Sequence, residues 1–82
     1  MDEPAISVYP NPAKEEVKII TPPNSEGNLI ILNTLGQVVF SQDVQIQNRK
    51  TGIDTKEWAN GLYVMLWHGV DGKIMSAKLM KN

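Results

Sequence analysis

An 82-residue chain with a net charge of −1 and no cysteine is one small domain. It can bury only roughly 60–65% of its unfolded surface, which leaves little room for a catalytic cavity. Neither disulfides nor thiolate metal sites are available, a lone His68 makes no zinc site or triad unaided, and the charge balance argues against nucleic acid as the main partner.

Met1-Asp2-Glu3-Pro4 reads as the start of an excised fragment, so residues 1–5 are expected to be a linker and residues 6–82 the domain. No signal peptide and no transmembrane run is present in these residues. Ile6-Ser7-Val8-Tyr9 alternates apolar and polar residues as a short strand does, and Pro10-Asn11-Pro12 stops it. Each proline fixes its own φ, lacks an N–H and pushes the preceding residue to extended geometry, so this turn can cap a sheet edge without joining a ladder. Glu15 and Glu16 are adjacent and would point to opposite faces of a strand, which rules out a working carboxylate pair. Residues 16–20 alternate as a second strand, and the polar Pro/Gly stretch at residues 21–27 is a plausible crossing between sheets.

Residues 28–33 (NLIILN) are apolar at four consecutive positions, the pattern of a strand covered on both faces for part of its length. Thr34-Leu35-Gly36-Gln37 turns the chain back into residues 37–44, with Gly36 as the positive-φ residue of the hairpin. Residues 45–55 are polar and read as an outer segment with a break at Thr51-Gly52. Asp54 or Thr55 could cap one helical turn at most, because Gly61 arrives too soon for more. Residues 61–67 (GLYVMLW) form the longest apolar run and predict the central strand. Asp71-Gly72 then predicts a type I′ hairpin that brings Trp67 near Ile74 or Met75, and residues 73–81 return antiparallel.

Seven short apolar segments at turn-separated spacing predict an all-β fold, a small antiparallel β-sandwich of about seven strands. The expected inward set is Val17, Ile19, Leu29, Ile31, Val39, Ile53, Trp58, Tyr63, Met65 and Trp67. Leu62, Val64 and Leu66 then face outward on the central strand. Either a neighbouring loop covers them or they form an apolar interaction face through which the domain weakly self-associates.

Four blocks of residues carry a family resemblance: Val8-Tyr9-Pro10-Asn11-Pro12-Ala13, residues 31–39 (ILNTLGQVV), Ile53-Asp54-Thr55 with residues 58–63 (WANGLY), and Lys78-Leu79-Met80-Lys81. In order and spacing the chain resembles the C-terminal sorting domain of the type IX secretion system of Bacteroidetes, from Ile6 to Asn82. It departs from the usual pattern at Trp58, where the family usually has Leu, and at Leu35, where a polar residue before the glycine is commoner.

The resemblance implies an Ig-like sandwich that is not an enzyme and needs no cofactor or metal. It implies a secretion signal that directs an attached cargo across the outer membrane. The cargo passes through the periplasm, the folded domain is recognised by the translocon and its shuttle protein, and a sortase removes it ahead of Ile6. The cargo ends at the cell surface or secreted. In that picture Pro10, Asn11, Pro12, Gly36, Gly61, Tyr63, Lys78, Leu79, Met80 and Lys81 match the family's motif positions. The last strand would offer a basic, partly apolar edge, with Lys78 and Lys81 exposed, to a receptor strand. The alternative reading is a small sandwich that binds carbohydrate or protein beside a secreted enzyme, with Trp58, Tyr63 and Trp67 as the only candidates for stacking on sugar rings.

Overall fold

The computed structural model describes residues 6–47 and 49–82, so the expected linker at residues 1–5 lies outside the described residues. Seven strands follow in chain order: β1 (Ser7–Tyr9), β2 (Glu16–Ile20), β3 (Gly27–Leu32), β4 (Val38–Val44), β5 (Lys50–Asp54), β6 (Gly61–Gly69) and β7 (Ile74–Lys81). They pair antiparallel in two sheets, ordered β1-β2-β5 and β4-β3-β6-β7. No helix occurs among the described residues, and the fold is the anticipated sandwich.

The crossings fall where the sequence places its prolines, glycines and polar residues. Residues 21–26 carry the chain from the three-stranded sheet to the four-stranded one, residues 45–49 return it, and residues 55–60 cross again. In the last of these Asp54 accepts the Lys56 N–H at 2.9 Å and the Trp58 N–H reaches the Thr55 carbonyl at 3.0 Å, which closes a single turn and no helix.

Alternation along each strand sends one set of side chains into the space between the sheets. Val17, Ile19 and Ile53 from the small sheet meet Leu29, Ile31, Tyr63, Met65, Trp67 and Leu79 from the large one, and Ile6, Ala13 and Val44 close the margins. Trp67 is the largest fully buried side chain, opposite Leu29 on one side and Met75 on the other, the second pairing being one the hairpin signal had pointed to.

Four expectations need correction. Val39 is not inward: between Ile31 and Leu32 the β3–β4 register shifts, Phe40 stands opposite Ile31 and Val38 opposite Leu32, and Val39 is the extra residue of a bulge, 37% exposed. Phe40 packs against the core in its place, and Trp58 is only half-buried against it. The β6–β7 connection is not a two-residue type I′ turn. The Gly69 N–H bonds the Lys73 carbonyl at 2.8 Å and the Gly72 N–H bonds the Gly69 carbonyl at 3.0 Å, so Val70-Asp71-Gly72 is a three-residue loop with positive φ at Gly72 alone. Lys81 is not exposed. It shares the inward face of β7 with Met75, Ala77 and Leu79, and only 6% of its surface reaches solvent.

Candidate functional site

The two prolines leave the 10–13 segment with few backbone donors, and the structure uses what remains to close the edge of β7. Tyr9-Pro10 and Asn11-Pro12 are both cis. The Asn11 side chain donates from Nδ2 to the Lys78 carbonyl at 3.1 Å and accepts the Met80 N–H at Oδ1 at 3.0 Å, across separations of 67 and 69 residues. An amide side chain has one donor end and one acceptor end, so it can stand in for a strand's peptide group. Ala13, fully buried, completes the pairing: its N–H bonds the Met80 carbonyl at 2.7 Å, and its carbonyl accepts the Asn82 N–H at 2.9 Å. Ala13 and Lys81 thereby form a parallel bridge.

This arrangement alters the expectation for the last strand. In an antiparallel ladder alternate residues turn their backbone groups to the same side, and those of Lys78 and Met80 turn away from β6. From Lys78 onward that outer edge is already paired with Asn11 and Ala13, so on β7 only the stretch from Ile74 to Ser76 keeps a free edge among the described residues.

The other motif residues lie beside the same end. Gly61, Leu62 and Tyr63 stand opposite Lys81, Met80 and Leu79. Gly61 opens β6 at φ 141°, a conformation that a residue with a Cβ rarely adopts. Tyr63 is buried and its hydroxyl donates to the Ala59 carbonyl at 2.6 Å, a tie back across the crossing that resembles the tyrosine corner of Ig-like sandwiches. The Gly36 turn follows Leu32, itself opposite Val64, and so projects from this end as well. Gly36 has φ 79°, and Asn33 Oδ1 accepts the N–H groups of Leu35 at 2.9 Å and Gln37 at 3.0 Å, a local network that fixes the turn. Four motif blocks scattered over 72 residues, from Pro10 to Lys81, therefore meet at one end of the four-stranded sheet.

Within this cluster the side chains divide. Tyr63, Leu79 and Lys81 point to the core, whereas Lys78 and Met80 are exposed. Leu62, Val64 and Leu66 are half-buried on the outer face, with Ile30 and Leu32 of β3 beside them. No strand among those described packs over this face. Reading for a single outward triplet missed Ile30 and Leu32 as its neighbours and Ala13 as a pairing residue. The four consecutive apolar residues of β3 were the available signal for the first two.

Catalytic geometry is not what this end presents. A groove of about 350 Å³ lies at the opposite end of the sheet beside Glu26, Asn28, Asp43, His68 and Val70, and contains none of the motif residues. Among the described residues no cluster of His, Asp and Glu is arranged to hold a metal ion. The three aromatics considered for sugar stacking form no exposed platform, because Trp67 and Tyr63 are buried and Trp58 leans on Tyr63 with ring centroids 5.0 Å apart. Iodide should therefore quench only the Trp58 part of the tryptophan emission; complete quenching would show that Trp67 is reachable.

The turns and the terminal strand of this β-sandwich are thus tied into one end of the larger sheet. Residues 7–82 match the family model described as the secretion system C-terminal sorting domain, and the chain belongs to that family, the sorting domains of type IX secretion. It is also similar to beta-agarase A of Zobellia galactanivorans, with 39% identity over 70 residues, covering 83% of this chain and 12% of that protein. The chain thus spans a small part of that relative's length. Among solved structures it resembles CopC from Methylosinus trichosporium, with a TM-score of 0.55 and 20% identity over 96% of this chain and 91% of that one, a likeness of fold. The family is non-catalytic, and its members are C-terminal signals for export to the cell surface or beyond.

Proposed function

We propose that this domain is a folded address, read by the type IX translocon and its shuttle protein after the attached cargo has entered the periplasm. A sortase then cuts ahead of Ile6, and the cargo is released or joined to anionic lipopolysaccharide at the surface. The convergence of Pro10-Asn11-Pro12, Gly36, Gly61-Leu62-Tyr63 and Lys78-Leu79-Met80-Lys81 at one end of one sheet is the observation that supports this reading. A receptor needs its contacts close together, and folding brings residues from both ends of the chain within hydrogen-bonding distance.

The motif residues fall into two roles in this reading. Gly36, Gly61, Tyr63, Leu79 and Lys81 hold the shape, since they set turns or point inward. Lys78 and Met80 are exposed and available to a partner. A cargo fused ahead of residues 1–82 should be exported across the outer membrane of a Bacteroidetes host that has this machinery, and the surface form should lack the domain. Removing residues 77–82 should leave the cargo in the periplasm. Export of the truncated fusion at the full-length rate would refute a role for the C-terminal strand.

A further inference from the structure

The two outer faces of this sandwich differ in kind. On the three-stranded sheet, the outward positions are Ser7 and Tyr9 of β1, Glu16, Lys18 and Ile20 of β2, and Lys50 and Asp54 of β5, the usual polar face of an antiparallel sheet. On the four-stranded sheet, the outward rows read Val64 against Leu32, Leu66 against Ile30, and Leu62 against Met80. Strands apolar on both faces are characteristic of a sheet covered on both sides, and among the described residues only one side is covered. Lys78 stands directly opposite Val64 on this same face and is exposed, the one cation beside an aliphatic array among the described residues.

We propose that this face is a docking surface for a protein receptor of the export machinery, one that presents an aliphatic surface bearing a carboxylate placed to meet Lys78. The inference rests on the sorting-domain reading and names the surface that does the reading. Three features select this occupant. The edge of β7 beside the motif cluster is sealed by Asn11 and Ala13, which removes strand addition there as a route and leaves the face. The isolated positive charge calls for a negative partner group, and the one acid on the face among the described residues, Asp43, already accepts a hydrogen bond from Asn28 at 3.0 Å, which leaves it a poor partner for the Lys78 of a second copy. Finally, strands about 4.8 Å apart with a rise of about 3.3 Å per residue put the aliphatic array at roughly 300 Å². A stable complex buries about 800 Å² per partner, so two copies stacked on this face alone would make a weak dimer. A shuttle that must bind and then let go is suited to a small apolar contact with one ion pair.

The test uses the same cargo fusion with four single variants. Val64→Lys places a charge in the middle of the array, Lys78→Glu reverses the cation, Lys78→Arg keeps it, and Lys18→Glu alters the opposite outer face. Thermal melting of the 82-residue chains establishes which are folded; Lys78 is exposed, so its variants keep the test intact if Val64→Lys does not fold. We expect Val64→Lys and Lys78→Glu to lower the export rate at least tenfold, and Lys78→Arg and Lys18→Glu to stay within twofold of the unmodified domain. Normal export of folded Lys78→Glu and Val64→Lys overturns the docking face while leaving the sorting function in place. Failure of the unmodified fusion removes the sorting reading and this inference with it. Sedimentation of the 82-residue chain as a micromolar dimer that Val64→Lys dissociates would instead assign the face to a second copy.

Discussion

Replacing Trp67 by alanine should lower the melting temperature of the domain by at least about 12 °C. The indole is fully buried at the centre of the four-stranded sheet, between Leu29 on β3 and Met75 on β7, and no other fully buried side chain is larger. Truncating a buried Trp costs about 3–5 kcal/mol, whereas native domains are stable by only about 0.05–0.15 kcal/mol per residue. For a chain of this size each kcal/mol lowers the melting temperature by about 4–8 °C. Trp67→Phe should be far milder. The indole N–H is buried without a hydrogen-bond partner among the described residues, so phenylalanine sheds an unsatisfied donor while keeping most of the apolar surface. A Trp67→Ala protein that melts within about 5 °C of the parent would mean that the core does not depend on this side chain.

Asn11→Ala should loosen the end of the chain without unfolding the rest. Two side-chain hydrogen bonds disappear, each with a net worth of about 0.5–1.5 kcal/mol, and the outer edge of β7 opens. Amide exchange locates the effect: the Met80 N–H, which bonds Asn11 Oδ1, should lose protection, whereas the Leu79 N–H, turned toward β6, should keep most of its own. Asn11→Asp retains the acceptor but sets a carboxylate against the Lys78 carbonyl, so it should do no better than alanine. Unchanged exchange at Met80 in Asn11→Ala would show that Ala13 alone holds the edge.

Local pattern made six of the seven strands legible, because period-two alternation and Pro/Gly punctuation lie within a few residues of one another; β5 was the exception, since its polar stretch read only as an outer segment broken at Thr51-Gly52, through which the strand runs unbroken. The β6–β7 register was likewise within reach, being set by a short loop. The bulge at Val39 was not, since an extra residue inverts alternation without leaving a compositional mark. Lys81 is a different case: its parity with Leu79 placed it inward, but the usual solvation of lysine argued the other way, and strand geometry prevailed. The pairing of Asn11 with β7 joins residues 67 and 69 positions apart and depends on how two sheets stack, information that no local window contains. Of the candidate site, the composition could therefore be read, but the sealing of its edge could not.

The bridge between Ala13 and Lys81 also has a mechanical meaning. In the function proposed above, a cargo ahead of this domain would pull on it through Ile6, and β1, only three residues long, is a weak anchor by itself. Tension arriving there runs a few residues further along the chain and is handed to β7 through the contacts of Asn11 and Ala13, and so into the middle of the larger sheet. The Pro10-Asn11-Pro12 turn thus works as a second catch, like the knot behind the eyelet of a lace: a tug that peels away the first strand meets the larger sheet before it can unravel the rest.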